Sequence, residues 1–294
     1  MAAGLLILAI LALIAVSTVQ KAWPAFQAEG LKYFTGREWA PSQNKFGTLT
    51  FVYGTLVVSM IAVVFAVPVS IGIALFVTEI APKPLRTAVT SVMDLLAGVP
   101  SVVFGLWGIL VFAPWMAGFY NDVSRWVNGV PVLTTVLNGT QTGRSFFTAG
   151  LILALMITPI ITSVTREVFA TVPRNDKDGA MALGATRWEM IKGVVLPHSI
   201  GGMVGATMLG LGRAMGETIA VALTIGSVPR VAANIFGNGY AMPAVIANEF
   251  NESSGNYRAA LIGLGVSLFA LTIIINVVAR WVVARFNARM QGAA

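Results

Sequence analysis

The sequence has no cysteine, a single histidine and few charged side chains. Without cysteine the chain forms no disulfide, no thiolate metal site and no cysteine nucleophile, and His198 alone is too little for a histidine-based metal site. The dipeptide Gly-Lys does not occur, which excludes a P-loop for ATP. No grouping of Ser, Asp and His198 suggests a catalytic triad. We therefore expect a protein that is not an enzyme and that carries no metal or cofactor of its own.

Charge is scarce because most of the chain is apolar. Only 11% of the residues are charged and 56% are hydrophobic, with a mean hydropathy of +0.81. A soluble domain carries about 25% charged residues. The net charge of +7 fits basic loops that face anionic lipid headgroups, and no stretch has the Lys/Arg density of a nucleic-acid patch. The composition predicts an integral membrane protein in a lipid bilayer, with no nucleic-acid partner.

Several segments reach the roughly 20 apolar residues that a membrane-spanning helix needs. They predict an all-α polytopic protein with about six transmembrane helices. The first is expected to remain as a helix rather than act as a signal peptide, because no Lys or Arg precedes it. Residues 1–294 are predicted to form one transmembrane domain with spans at about 4–20, 50–78, 88–113, 147–170, 199–228 and 259–282.

The connections between the spans differ in charge. Lys and Arg are denser in residues 79–87 and 171–198 and in the tail from Arg280 than in the three longer connections. The positive-inside rule therefore places these basic segments in the cytoplasm. The other connections, which are rich in Gly, Pro, Asn and aromatic residues, are then extracytoplasmic: 21–49, 114–146 and 229–258.

Arg213 and Glu217 are the only charges in the fifth apolar segment. Arg213 would lie roughly 20 Å from either end at about 1.5 Å per residue, too far for its side chain to reach the membrane surface. It must therefore face protein or a water-filled path. Glu217 follows at i+4, which on a continuous helix puts both side chains on one face and predicts an ion pair.

Two interpretations of this pair stay open. A structural ion pair would fix the register of the helix. Alternatively, the pair lies on the transport path of an anion, because a guanidinium group matches phosphate or sulfate through paired hydrogen bonds. The carboxylate of Glu217 weakens the attraction for a dianion, so Arg213 is expected to be a transient contact rather than a tight binding site.

Small residues mark two helix surfaces. In the fifth segment Gly205, Gly212 and Gly216 recur at intervals of seven and four residues, which predicts a smooth face against which another helix packs closely. In the third segment Pro100 and Ser101 are positioned to break or bend the helix. Such a break exposes backbone groups, which makes Ser101 a candidate secondary residue on an anion path. A packing kink explains the same residues equally well.

The connection between the fourth and fifth spans has helical signals. Ala180–Leu183 is a strong helix former, and Gly184 is placed to end that helix. Thr186-Arg-Trp-Glu189 is a capping box that opens a second helix, and Leu196-Pro197 is expected to end or kink it. Two short helices that meet at a glycine turn suit docking into a cleft of another protein. A helix pair lying on the lipid headgroups is the alternative.

The same residues resemble a known family. Permeases of ABC importers carry a cytoplasmic loop with Glu-Ala-Ala, three residues, Gly, nine residues, Ile, one residue and Leu-Pro. Here Asp178-Gly179-Ala180 is followed at the same spacings by Gly184, Val194 and Leu196-Pro197, with Asp for Glu, Gly for the first Ala and Val for Ile. Within that family the chain is most similar to phosphate-importer permeases. Four stretches carry this resemblance: TEIAP (78–82), AGVPSVVFGLWG (97–108), ALGATRWEMIKGVVLP (182–197) and LGLGRAMGETIAV (209–221).

The resemblance implies a type I importer permease fold in the bacterial cytoplasmic membrane. It implies a heterodimer with a second permease subunit, a dimer of ATPase subunits that holds ATP and Mg²⁺, and an extracytoplasmic phosphate-binding protein. Inorganic phosphate would pass Arg213 and its neighbour Glu217. The residues that would couple the permease to the ATPase are Asp178, Ala180, Gly184, Leu196 and Pro197.

Three other functions compete with this one. A permease for sulfate or molybdate could use the same arginine, so substrate assays separate it from a phosphate permease. A proton-coupled secondary transporter would use Arg213 and Glu217 as a relay and would need no ATPase. In a membrane scaffold without transport, loss of Arg213 would harm folding rather than flux.

Overall fold

The computed structural model describes residues 2–127, 129, 131–137 and 142–291. Helices dominate these residues, and one two-stranded antiparallel sheet pairs Trp39 with Phe46. The helices and strands in chain order are α1 Ala2–Glu29, α2 Lys32–Thr35, β1 Trp39–Ala40, β2 Lys45–Phe46, α3 Leu49–Leu75, α4 Lys83–Gly98, α5 Ser101–Trp107, α6 Ala113–Val127, α7 Pro131–Leu137, α8 Phe146–Ala170, α9 Arg174–Ala182, α10 Arg187–Met190, α11 Leu196–Gly216, α12 Ile219–Thr224, α13 Met242–Glu249 and α14 Gly255–Gln291.

The structure has three single π-helical turns: the first closes α3 before the extended residues Ala81 and Pro82, and the other two join consecutive helices without a break in the helical path. They lie at Phe76–Ile80, Gly108–Phe112 and Ile191–Val195. Counting through these turns, six helical stretches are long and apolar enough to cross a membrane, which confirms the predicted all-α class: Gly4–Glu29, Leu49–Ile80, Ser101–Val127, Phe146–Ala170, Arg187–Gly216 and Gly255–Trp281.

The first span shows the surface that a bilayer requires. Its apolar side chains stand exposed on the isolated chain, with Leu5 at 68% and Leu13 at 69%. An apolar surface of this extent is a liability in water, whereas in hydrocarbon it contacts lipid tails at no cost. The backbone polar groups are satisfied inside the helix, as any lipid-facing segment demands.

The described chain clusters into two compact units. Unit 1 contains the segments up to Ser59, Ser101–Ile152 and Met215–Ile273. Unit 2 contains Met60–Pro100, Leu153–Ala214 and the segment from Ile274. Helices α3, α8, α11 and α14 contribute residues to both units. The single transmembrane domain over 1–294 stays a prediction.

Unit 1 contains an aromatic cluster around one carboxylate. Glu249 Oε2 accepts hydrogen bonds from Trp39 Nε1 at 3.1 Å and from the Tyr257 hydroxyl at 2.5 Å. Nearby, Tyr240 accepts a bond from Asn248 Nδ2 at 3.0 Å, and burial raises the pKa of Tyr240 to about 12. These bonds join the β1–β2 hairpin to α13 and to the start of α14.

Unit 2 is built on an apolar cluster under the connection between α8 and α11. Ala74, Phe169, Val172, Met190, Ile191 and Val195 are buried together. Polar bonds add to this packing: Ser70 Oγ donates to the Thr158 carbonyl at 3.1 Å, and Arg166 Nη1 donates to Thr90 Oγ1 at 2.8 Å. The second bond fastens α4, which has no buried residue, to α8.

The third predicted span, 88–113, is not one helix. Helix α4 ends at Gly98, and α5 begins at Ser101. Pro100 has no N–H to continue the helix, and it disfavours helical geometry at Val99, which is extended with ψ 127°. The membrane-length stretch starts after this break and runs to Val127.

Candidate transport path and coupling loop

Arg213 lies in the last turn of α11, and its side chain is exposed on the isolated chain. The next two residues, Ala214 and Met215, are 3% and 1% exposed and point into the protein. A cation in the last turn is favoured by the negative end of the helix dipole. The arginine is therefore held on an ordered helix end, with its guanidinium directed away from the packed side of that helix.

Glu217 does not share a helix with Arg213. Helix α11 ends at Gly216, and α12 starts at Ile219, so the predicted continuous helix over 199–228 and the same-face i+4 geometry are wrong. The side chain of Glu217 instead accepts a hydrogen bond from the Ala220 N–H at 3.4 Å. In the described part of the chain, the ion pairs within 4.0 Å join other residues.

The break has a local cause. Gly216 is a weak helix former, and the carboxylate of Glu217 competes for a backbone N–H at the start of the next helix. Thr218 Oγ1 also turns back to donate to the Gly216 carbonyl at 3.3 Å. A membrane span interrupted beside a cation is tolerated where it lines protein or a cavity rather than lipid.

The glycines of α11 divide into two faces. A Cβ placed on Gly202 or Gly210 would collide with Val168 or Ile161 of α8, so these glycines make the close helix contact within the chain. A Cβ on Gly205, Gly212 or Gly216 would meet no atom within 4 Å. The predicted packing face is therefore open in the isolated chain. Gly205 and Gly212 line a groove of about 880 Å³ beside it.

Ser101 is the first residue of α5, directly after the break at Pro100. One turn further on, Gly105 brings α5 against α12: a Cβ there would lie 2.8 Å from Leu223 Cδ1 and 3.0 Å from Ala220 Cα. The structure thus packs the helix that begins at Ser101 on the short helix that follows Glu217. The role of Ser101 on a path stays a prediction.

The coupling loop, residues 171–198, contains the two predicted short helices, α9 and α10. Gly184 has a φ of +86° and ends α9, with its N–H bonded to the Met181 carbonyl and the Ala185 N–H bonded to the Ala180 carbonyl. The capping box is confirmed: Thr186 accepts from the Glu189 N–H, and the Glu189 carboxylate accepts from the Thr186 N–H.

Leu196-Pro197 does not end the second helix. The helical path continues from Arg187 through the π-helical turn Ile191–Val195 into α11. Pro197 lacks an N–H, so the Gly193 carbonyl loses its usual partner. The wider turn lies directly before the proline and allows the helix to continue, as π-helical turns often do at functional sites.

Some of the predicted coupling residues pack on their own chain, and others are exposed. Ala180 and Leu196 pack on the apolar cluster of unit 2, so they hold the loop to its own chain. Asp178 and Gly184 are exposed and available to another protein. Two exposed apolar side chains beside the turn were not predicted from the sequence as candidate docking residues. Leu183 is 91% exposed and Trp188 is 56% exposed. Their position next to a glycine turn is the signal that could have identified them.

The matching family model is the binding-protein-dependent transport system inner membrane component, which covers residues 66–292. The chain is 40% identical to the phosphate transport system permease protein PstC of Mesorhizobium japonicum, over 98% of this chain and 89% of that protein. It is 42% identical to the PstC protein of Xylella fastidiosa, over 90% of this chain and 82% of that protein.

Solved structures support the fold. A bacterial alginate ABC transporter, in complex with a periplasmic protein that binds an alginate pentasaccharide, has a chain that matches with a TM-score of 0.63 at 18% identity. That match covers 97% of this chain and 93% of the other. An inward-facing methionine ABC transporter, MetNI, matches with a TM-score of 0.57 at 17% identity, over 84% of this chain and 99% of the other.

These findings confirm the type I ABC importer permease fold and a multi-pass location in the cytoplasmic membrane. The similarity to the curated relatives extends over 90% or more of the chain. The chain belongs to the family of binding-protein-dependent transport system inner membrane components, among the phosphate transport system permease proteins.

Proposed function

We propose that this chain is one permease subunit of an ATP-driven importer of inorganic phosphate. The observation that carries the proposal is the exposed Arg213 at the broken end of a membrane span. A guanidinium in a membrane span is costly unless protein, water or an anion faces it. The names of the curated relatives support phosphate over other oxyanions.

The second permease subunit is proposed to cover the open face of α11. The groove of about 880 Å³ beside Gly205 and Gly212 gives a helix from another chain room to approach closely. Arg213 would then lie at or beside the contact of the two permeases, with Glu217 next to it. Anions would pass between the subunits rather than through either one.

A matched pair of glycine substitutions tests this face. Gly205→Leu should leave the thermal stability of the isolated chain within about 0.5 kcal/mol of wild type, because its side chain enters open space. The same substitution should reduce copurification with the second permease. Gly202→Leu should destabilise the chain itself by about 1–3 kcal/mol, because it collides with Val168. Equal effects of the two variants on thermal unfolding would contradict the assignment of faces.

The ATPase is proposed to be a separate pair of subunits that hold ATP and Mg²⁺ and receive the coupling loop. The surface of the loop around Gly184 supports this, since Asp178, Leu183, Gly184 and Trp188 are all exposed. An extracytoplasmic phosphate-binding protein is proposed to deliver substrate to the connections on the opposite side. The alginate transporter of the same fold was solved in complex with a periplasmic protein.

Reconstitution of the complete complex tests the function. The chain is coexpressed with the second permease, the ATPase and the phosphate-binding protein, and uptake of radiolabelled phosphate into ATP-loaded proteoliposomes is measured. We expect uptake that requires ATP and that is not inhibited by excess sulfate or molybdate. Uptake of sulfate or molybdate but not phosphate would overturn the substrate. Uptake driven by a proton gradient without the ATPase would overturn the class of transporter.

A further inference from the structure

We infer that the ion pair between Glu79 and Lys177 is a positioning element that transmits movement of the coupling loop to the second membrane span. Lys177 is in α9 of the coupling loop, and Glu79 is in the π-helical turn Phe76–Ile80 that closes this span. Lys177 Nζ lies 2.6 Å from Glu79 Oε1, within hydrogen-bonding distance. The two residues are 98 positions apart, so the pair is a tertiary contact. This inference rests on the proposed function.

The pair differs from surface ion pairs in its burial. The side chains of Lys177 and Glu79 are only 18% and 10% exposed. The other ion pairs of the described residues have side chains that are 50% to 79% exposed. An exposed ion pair is screened by water and contributes little to stability. Removal of one partner from a pair with little solvent around it destabilises the protein much more, because the other charge is left without a partner. The polar part of the contact between α9 and the second span therefore depends on both charges being present.

The end of the second span is held from two sides. Arg86 of α4 donates from Nη2 to the Thr78 carbonyl at 2.9 Å, one residue before Glu79. Lys177 binds the next side chain from α9. Both contacts border a cavity of about 380 Å³ that is also lined by Arg174 and Asp178. A displacement of α9 is thus passed to the turn that precedes α4, and not only to the span that follows the coupling loop.

The coupling loop and the second span also share an apolar contact. Ala180 of α9 and Ile71, Ala74 and Leu75 of α3 belong to the same cluster. Apolar contacts are non-directional, so by themselves they set no preferred direction between α9 and the span. A hydrogen-bonded ion pair has a preferred direction and distance. The pair therefore supplies the directional link by which a force on α9 moves the span.

The test is the amount of phosphate taken up per ATP hydrolysed by the reconstituted complex. Glu79→Gln and Lys177→Gln should each lower this ratio roughly tenfold, within the range found for coupled sites, while ATP hydrolysis continues. The exchanged pair, Glu79→Lys with Lys177→Glu, should restore most of the ratio. Matched controls are Glu167→Gln and Lys83→Gln, which remove exposed charges of the same unit that form no ion pair among the described residues.

Unchanged ratios in the single variants would overturn the inference. So would a parallel fall in uptake and hydrolysis that the exchange does not repair, since that is the result of a purely structural contact. If a single variant fails to assemble, the chain's lack of cysteine allows a direct replacement. The double variant Glu79→Cys with Lys177→Cys is joined by a reducible bis-thiosulfonate linker in a complex that has no other cysteine. The linked complex should take up phosphate per ATP hydrolysed as wild type does, and reduction of the linker should lower that ratio. No change on reduction would refute the link. Failure of the wild-type complex to take up phosphate would instead refute the proposed function.

Discussion

Arg213→Ala should abolish phosphate uptake by a complex that still assembles. The side chain is exposed on the isolated chain, so its removal leaves the packing of Ala214 and Met215 intact. What is lost is the guanidinium that would contact the passing anion. Each hydrogen bond to a charged group contributes about 1.5–3 kcal/mol, and about 1.4 kcal/mol changes a rate tenfold. Loss of a two-bond contact should therefore lower uptake by roughly 100-fold or more, measured with radiolabelled phosphate in proteoliposomes.

Two further variants separate charge from geometry at this position. Arg213→Lys should also lose most of the phosphate uptake, because a compact ammonium group lacks the planar fork that binds two oxygens of a phosphate. Glu217→Gln should be mild, since the amide oxygen can still accept the Ala220 N–H that Glu217 accepts at 3.4 Å. Wild-type uptake by the assembled Arg213→Ala complex would make Arg213 a structural residue, and the path would have to be sought elsewhere.

Gly184→Trp should uncouple the complex by preventing the coupling loop from docking. A side chain at this position enters open space in the isolated chain, so the loop should keep its own packing. The indole would occupy the tip of the turn that we propose to face the ATPase. The φ of +86° adds a backbone cost of about 1–2 kcal/mol for a residue other than glycine. We expect loss of uptake and weaker copurification of the ATPase subunits with the permease.

A control separates the bulk of the side chain from the backbone conformation. Gly184→Asn should retain most of the uptake, because asparagine tolerates the left-handed conformation and its side chain is small. Gly184→Ala, which is smaller but less tolerant of a positive φ, should lie between asparagine and tryptophan. Normal transport by the tryptophan variant would remove the docking hypothesis. Equal loss in all three variants would show that the conformation of the turn, rather than its access, is required.

Local patterns in the sequence were sufficient to predict the fold class, the number of spans and the turn of the coupling loop. The scarcity of charge and the length of the apolar segments predicted an all-α membrane protein with six spans, because a bilayer demands long apolar helices whatever the topology. The turn of the coupling loop was equally predictable. Gly184 and the Thr186–Glu189 capping box act through backbone groups within five residues, and the structure confirms both.

The tertiary structure decided what the local pattern left open. Hydropathy does not distinguish a continuous span from one broken at Glu217, because the residues on both sides of the break are mainly apolar. The break depends on the hydrogen bond from the Ala220 N–H to the Glu217 side chain, which a hydropathy profile does not contain. Glycine spacing does not reveal that Gly202 packs within the chain whereas Gly205 stays open, since that depends on where Val168 lies. The Glu79–Lys177 pair joins residues 98 positions apart. Only the folded packing of the coupling loop on the second span brings those two charges out of water and together.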